Sequence, residues 1–371
     1  MKTKGNIFIH TSSSRPALML TLAAVLAASS CGREAKEDFG DVIAFSASAE
    51  RVTDSRSTGS TLVTNLNTDG SEIAVYGYHG GASDYSGKTP VFETDGAKRV
   101  YYKSSGNAGN YNWDYDYTAG TDKVKWLRSD YYRFRAFYPY SLIDNVNSSS
   151  NAEILALDYS LMTDDADLMV AYATRYPAQD GVGAVGLNFQ HALSALRFEV
   201  KKDENSTEDE SLKEFYLTGL YQTGGLIYTA SDASALAGVQ SLTWFPSVSE
   251  YDTPVHHWVA ASESDYKEMT TSGVSVYGND GSVGNDGFVF AIPVNGKYNG
   301  KDIVKTRPKV YANFRTDKGG NVLHTALLPE GVCWEPGKKY IYTITVKKAT
   351  VTVNVTIKPW TLVEAGAEMK F

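Results

Sequence analysis

The chain has 371 residues, 42% of them hydrophobic and 21% charged, a composition that excludes a disordered protein and leaves room for two domains. Its net charge is −8 and it shows no basic stripe with interleaved aromatics, so phosphate backbones repel it and nucleic-acid binding is excluded. Twenty-five tyrosines and 32 glycines, residues of half-buried pleated surfaces and of turns, point to an all-β fold.

The N-terminus reads as an export signal. Lys2, Lys4 and Arg15 accompany the apolar run "ALMLTLAAVLAAS" (17–29), too short to span a bilayer and suited to a secretory signal at residues 1–30. That signal carries no acid, so the exported part is more acidic still. Ala28, Ser29 and Ser30 precede Cys31, which resembles a bacterial lipobox, where the thiol is acylated and becomes the new N-terminus. The usual Leu three positions before the Cys is replaced by Ala28, with Leu26 two residues further back; the alternative is an ordinary signal cut near Ser30. Cys31 and Cys333 are the only cysteines, so lipid on Cys31 leaves Cys333 no disulfide partner. Gly32 and the acidic run "REAKED" (33–38), which resembles the export tag of surface lipoproteins of the Bacteroidales, point to the outer face of the outer membrane.

Beyond this leader, period-2 stretches separated by turn signals recur. Residues 42–49 form a short strand, followed by "RVTDSRSTGS" (51–60), a polar stretch holding Arg51 and Arg56. Residues 71–80 form a strand ended by Gly80-Gly81. The aromatic cluster "YNWDYDY" (111–117), with Trp126, reads either as one face of a strand or as a sugar-stacking platform. "YYRFRAFYPY" (131–140) alternates Tyr132, Phe134 and Ala136 against Arg133, Arg135 and Phe137. "DADLMVAYA" (165–173) is readable as a helix or a strand. The glycine-rich stretch 178–186 marks a boundary between units 57–183 and 184–371. Residues 185–200 read as strand, short helical turn at "QHALSAL" and strand; strands follow at 286–294 and 309–316. The chain closes with two strands rich in Thr, Val and Ile within 339–360. Many short strands with turn signals suggest β-sandwiches, and two fit the length.

Chemistry-bearing motifs are weak. H-E-x-x-H, zinc-type cysteine pairs, G-x-S-x-G and phosphate-binding glycine loops do not occur in the sequence, which gives no positive signal for an enzyme, metal or cofactor. His256 and His257 are adjacent and so face opposite sides of a strand, and His191 is expected to bond the local backbone. Asp164, Asp165 and Asp167, and the Asn-Asp-Gly turns of 278–287, lack calcium-loop spacing.

The order of these elements carries a resemblance. A lipobox at Cys31 is followed by "IAFSASA", the Ser/Thr/Arg stretch, "IAVYGY", "VFETDG", the Trp113 and Trp126 segments and "YYRFRAFYPY". "DADLMVAYA", "VGLNFQHALSALRFEV" and the ending "WEPGKKYIYTITV…VTVNVTIKPW" complete it, and together they resemble the fimbrillin family of the Bacteroidales, type V pilins and their accessory subunits. The resemblance implies two tandem transthyretin-like β-sandwich domains and a non-enzymatic fimbrial subunit or adhesin. It implies a precursor anchored by lipid at Cys31 in the outer membrane and cut by an Arg-specific protease at Arg56, or alternatively Arg51. The cut removes segment 31–56 with the strand holding Val42, Ile43, Phe45 and Ala47. The groove so opened accepts a strand from another fimbrial subunit; the candidate donor carries Val351, Val353, Val355 and Ile357, with 361–371 as a companion. Host or bacterial surface ligands are further implied partners. From a different class, the alternative is a surface glycan-binding lipoprotein using Trp113 and Trp126.

Overall fold

The computed structural model describes residues 38–49, 65–92, 95–103, 113–116, 123–164, 166–230, 240–247, 253–277, 287–294, 297–298, 301–302, 309–318, 323–330, 332–347 and 351–359. It is nearly all strand. The first half contains β1 (Asp38–Val42), β2 (Phe45–Ala49), β3 (Glu72–Gly80), β4 (Thr89–Pro90), β5 (Lys98–Tyr102), β6 (Trp113–Tyr115), β7 (Lys125–Leu127), β8 (Tyr131–Tyr138), β9 (Ile154–Ser160), β10 (Met169–Arg175) and β11 (Val185–His191). The second half begins with β12 (Ser194–Lys202), β13 (Ser211–Thr218), β14 (Thr223–Ala230), β15 (Gln240–Ser247), β16 (Val255–Val259), β17 (Lys267–Glu268) and β18 (Val274–Ser275). It continues with β19 (Phe288–Ala291), β20 (Lys297–Tyr298), β21 (Lys301–Asp302), β22 (Tyr311–Thr316), β23 (Leu323–Leu327), β24 (Lys338–Val346) and β25 (Val351–Pro359).

The first sheet runs β2-β11-β10-β8-β3-β5-β6, with β4 added on β3. Its strands pair antiparallel except β2, which lies parallel to β11. One face carries Ile73, Val75, Tyr132, Phe134, Ala136, Leu187 and Phe189 into a core closed by Trp126 and by Ile43 and Phe45. The opposite face, with Tyr76, Tyr78, Phe137 and Val170, packs on the β15-β14-β9 sheet in a second core that continues into the C-terminal half. Burial on both faces explains why apolar and aromatic residues dominate both sides of β3 and β8, with Arg133 and Arg135 of β8 the buried charged exceptions.

The second half is a sandwich of two sheets, β18-β12-β24-β25 and β16-β13-β22-β23, with β19 pairing β12 and β17 pairing β13. Phe198 of β12 meets Phe215 of β13 and stacks on Tyr342 of β24, each at 5.2 Å between ring centres.

Three segments differ from their sequence reading or resolve it. The single strand expected at 42–49 is divided between β1, which ends at Val42 and pairs with β7, and β2, which starts at Phe45 and pairs with β11. The helical turn expected at "QHALSAL" is absent: β11 ends at His191 and β12 starts at Ser194, and the intervening Ala192 and Leu193 carry the chain between sheets. There the Ala192 carbonyl accepts the Trp244 indole N–H at 2.7 Å and the Leu193 carbonyl accepts the Gly337 N–H at 2.9 Å. These partners satisfy the backbone without a helix. The ambiguous 165–173 segment is strand β10 from Met169 onward. Backbone pairing also crosses residue 183, because β11 joins β10 and β9 joins β14.

Candidate functional site

Strand β2 occupies one end of the first sheet. Its five residues pair in unbroken parallel register with β11, from Phe45 opposite Val185 to Ala49 opposite Phe189. Side chains alternate strictly: Phe45, Ala47 and Ala49 are buried, while Ser46 and Ser48 face solvent. Ser48 Oγ donates to Asn188 Oδ1 across the outer face at 2.7 Å. The Phe45 ring sits in an aromatic box, 5.4 Å from Phe134, 5.9 Å from Tyr115 and 6.3 Å from Phe92. Ile43, fully buried, is held by its backbone: its N–H donates to Val124 O at 2.8 Å and its carbonyl accepts the Tyr115 hydroxyl at 2.9 Å. Before it, β1 pairs antiparallel with β7, and Val42 is half-buried opposite Lys125.

The N-terminal segment is therefore a short, apolar, edge-on insertion that touches both walls of the first core. Burial of Ile43 and Phe45 contributes about 1.5–3 kcal/mol each. Lifting β2 away would uncover the box around Phe45 and leave the ladder edge of β11 without a partner. The expected processing residues Arg51 and Arg56, like the expected lipidation residue Cys31, lie outside the described residues.

The candidate donor, β25, is also an edge strand. All nine residues pair antiparallel with β24, from Val351 opposite Val346 to Pro359 opposite Lys338. Val351, Val353 and Val355 are half-buried against the C-terminal core, whereas Ile357 is 53% exposed. Among the described residues one ladder of backbone bonds, not two, holds this strand. Segment 361–371 lies outside the described residues.

The aromatic platform is not on the surface. Trp126 is fully buried and meets Tyr132 edge-on at 4.7 Å; Trp113 is 5% exposed and donates its indole N–H to Asn67 Oδ1 at 2.9 Å. Both are core residues because the cross-strand packing of β6 and β7 turns them inward, so neither offers a face to a sugar ring. Tyr111 and Tyr117 lie outside the described residues.

The histidines have structural partners. His191 Nδ1 lies 2.9 Å from Asp167 Oδ1, both side chains fully buried; its partner is a side chain and not the local backbone that sequence suggested. His79 Nδ1 is 2.6 Å from buried Asp130. His256 has φ +53° and its Nε2–H donates to Phe290 O at 2.7 Å, while exposed His257 turns to Glu214 at 2.9 Å. An open cleft of about 540 Å³ is lined by Asp144, Asp158 and Asp164 among polar neighbours. Of these, Asp164 accepts the Ser160 N–H at 2.6 Å. Among the described residues no group of three His, Cys, Asp or Glu side chains could hold a metal ion. Sequence reading placed Phe134 and Tyr115 on strands but assigned neither of them, nor Phe92, to a box around Phe45; only the large aromatic at Phe45 signals that a matching pocket exists.

Several solved structures resemble the chain at low identity, among them the following three. A fimbrial protein from Bacteroides vulgatus shares 15% identity, with 87% of this chain and 100% of that chain covered and a TM-score of 0.48. A fimbrial assembly protein from Parabacteroides distasonis shares 12% (81% and 96% covered, TM-score 0.36). The tip fimbrial protein Mfa3 from Porphyromonas gingivalis, with a C-terminal truncation, shares 10% (82% and 98% covered, TM-score 0.34). No curated protein sequence matches the chain. The model of the fimbrillin-like family matches residues 51–360, well over half the sequence, and the chain belongs to that family.

Proposed function

We propose that the chain is a structural subunit of cell-surface fimbriae, joined to its neighbours by donor-strand exchange that proteolysis triggers. The observation carrying this reading is β2: an edge strand whose alternate side chains fill an apolar groove, directly before the arginine-bearing stretch 51–60. In the precursor, Cys31 carries the lipid and β2 fills its own groove, so assembly is blocked. Cleavage after Arg56, or after Arg51, frees the subunit from its anchor and lets β1 and β2 leave. The exposed β11 edge and the Phe45 box then accept an extended segment of a second subunit, by β-augmentation. The donor in this scheme is strand β25, a reading supported by its edge position: among the described residues it pairs with β24 and no other strand. The chain has no enzymatic role in this scheme.

The test uses the chain without its signal, with Ser48→Cys and Asn188→Cys on a Cys31→Ser, Cys333→Ser background. These two positions are opposite in register and their side chains already touch. With the disulfide formed, an Arg-specific protease yields a new N-terminus at Ser57 but no oligomers, because β2 cannot leave. After reduction, the same cleaved sample gives a ladder of oligomers. Oligomerisation that is equal with the disulfide closed rules out the groove as the acceptor.

A further inference from the structure

Away from the β2 groove, the groups most at odds with their surroundings are two arginines. Arg133 and Arg135 stand two residues apart on β8, each 1% exposed, on the face packed against the β15-β14-β9 layer. Tyr172 of β10 lies directly beside Arg135 in register, and Tyr228 of β14 covers it from the facing layer. The ring centres are 5.1 and 4.6 Å from the guanidinium carbon. Arg133 lies 5.2 Å from the Tyr78 ring centre and donates through Nη2 to Glu153 Oε1 at 3.0 Å and to Gly87 O at 3.2 Å. Glu153 also serves Lys88, and Asp84 and Asp95 stand on the Arg133 side, Asp95 taking the Tyr78 hydroxyl.

Among the described residues no carboxylate bridges Arg135. Nε and Nη1 of both arginines, and the Tyr172 hydroxyl, are buried without a hydrogen-bond partner. A buried cation of this kind is costly unless it is paired, and buried donors are almost always satisfied. The two tyrosine faces return part of the cost to Arg135 through cation–π attraction, but a ring face accepts nothing from the edge of the guanidinium. Burial lowers the Arg135 pKa to about 10, which still leaves it charged at neutral pH.

One acceptor carrying a negative charge would answer both deficits. It must be small, because side chains this deeply buried leave no opening for a large ligand, and it must accept from several directions. A halide meets these demands; water brings no charge. The geometry points to a halide-sized anion site among Arg133, Arg135 and Tyr172, tying the first sheet to the β15-β14-β9 layer. The site is independent of strand exchange and uses none of its residues.

Thermal unfolding in sodium chloride, sodium bromide and sodium gluconate at equal ionic strength tests the assignment. The midpoint is expected to rise by about 2 °C per tenfold increase in halide above its Kd, and not with gluconate. Arg135→Met keeps the length and removes the charge. It should abolish the halide response and unfold in gluconate no earlier than the parent, since it deletes a buried cation that among the described residues no carboxylate bridges. Crystals soaked in bromide should show an anomalous peak between the two guanidinium groups. Coincident halide and gluconate curves, a halide response that persists in Arg135→Met, or no bromide peak there would overturn the site. If the variant does not fold, the parent's halide–gluconate comparison and the bromide peak decide.

Discussion

Phe45 shows how much of the proposed switch rests on one side chain. Its ring fills the box made by Phe92, Tyr115 and Phe134, on a strand that has only one neighbour in its sheet. Phe45→Ala should cost the uncut chain about 3–5 kcal/mol, read as a fall in the urea midpoint. After Arg-specific cleavage and loss of β2 the parent and variant become the same molecule, so the difference should vanish; a difference that survives means β2 stays. His256 offers a second test, at low pH. Burial of its ring outweighs the hydrogen bond to Phe290 O and lowers its pKa to about 4. The unfolded chain binds the proton first, so stability is full above about 6.5 and falls as the pH drops from there towards 4. Because the residue as a whole is half-buried, the expected loss at pH 5 is about 1–2 kcal/mol. His256→Asn, which tolerates the φ of +53°, should flatten the urea midpoint between pH 7 and pH 5 by that amount. Sequence showed that Arg133 and Arg135 share one side of an alternating strand, but not that this side is buried. That depends on β14, nearly a hundred residues away in the chain, and no local pattern reports it.

At the level of elements, β2 and β25 are alike: each is an edge strand with one apolar side, but β25 leaves by breaking its ladder with β24 alone, whereas β2 leaves together with β1 and so also breaks the β1–β7 pairing. They differ in depth. The apolar side chains of β2 are buried, whereas β25 keeps its valines half-exposed and Ile357 largely open. In the proposed exchange the donor would thus be held less tightly per residue than the strand it replaces, and the protease cut would set the order of events. Val353→Asp should lower stability by about 1–3 kcal/mol and leave a folded chain. Mixed after cleavage with parent acceptors, it should fail to extend a ladder when it must supply the strand, yet still accept one. Undiminished donation would move the donor to segment 361–371. Period-2 patterning made both strands legible, because each has one wet side. It failed at "QHALSAL", where Ala192 and Leu193 are buried as the chain changes sheets and no wet side exists to set a period. It also left 165–173 undecided, since Met169, Val170 and Ala171 are all buried in a strand covered on both faces.

For the whole molecule, the deciding feature is that the second core belongs to both halves. Tyr76, Phe137 and Val170 from the first sheet join Leu196, Phe198 and Phe314 from the C-terminal sandwich in one continuous apolar cluster, with β9 and β14 paired through its middle. The composition and strand spacing that suggested sandwiches could not reveal this, because pairing across residue 183 leaves no mark on either segment's own pattern. A chain stopped at residue 183 would lack β11, expose the Tyr76 and Phe137 face, and lose the partner of β9. It should therefore be insoluble or molten, with no sharp unfolding transition. The intact chain, in contrast, should unfold in urea as one transition, reported alike by tryptophan fluorescence and far-ultraviolet circular dichroism. Trp113 and Trp126 sit in the first core and Trp244 and Trp334 in the second, so fluorescence samples both. Two resolved transitions, or a fragment ending at residue 183 that folds cooperatively, would mean that the shared core does not couple the halves. In the proposed exchange a subunit that bears load along a fibre would profit from that coupling: opening the β2 groove would perturb one wall of the first core while the second, deeper core would keep the rest of the molecule folded.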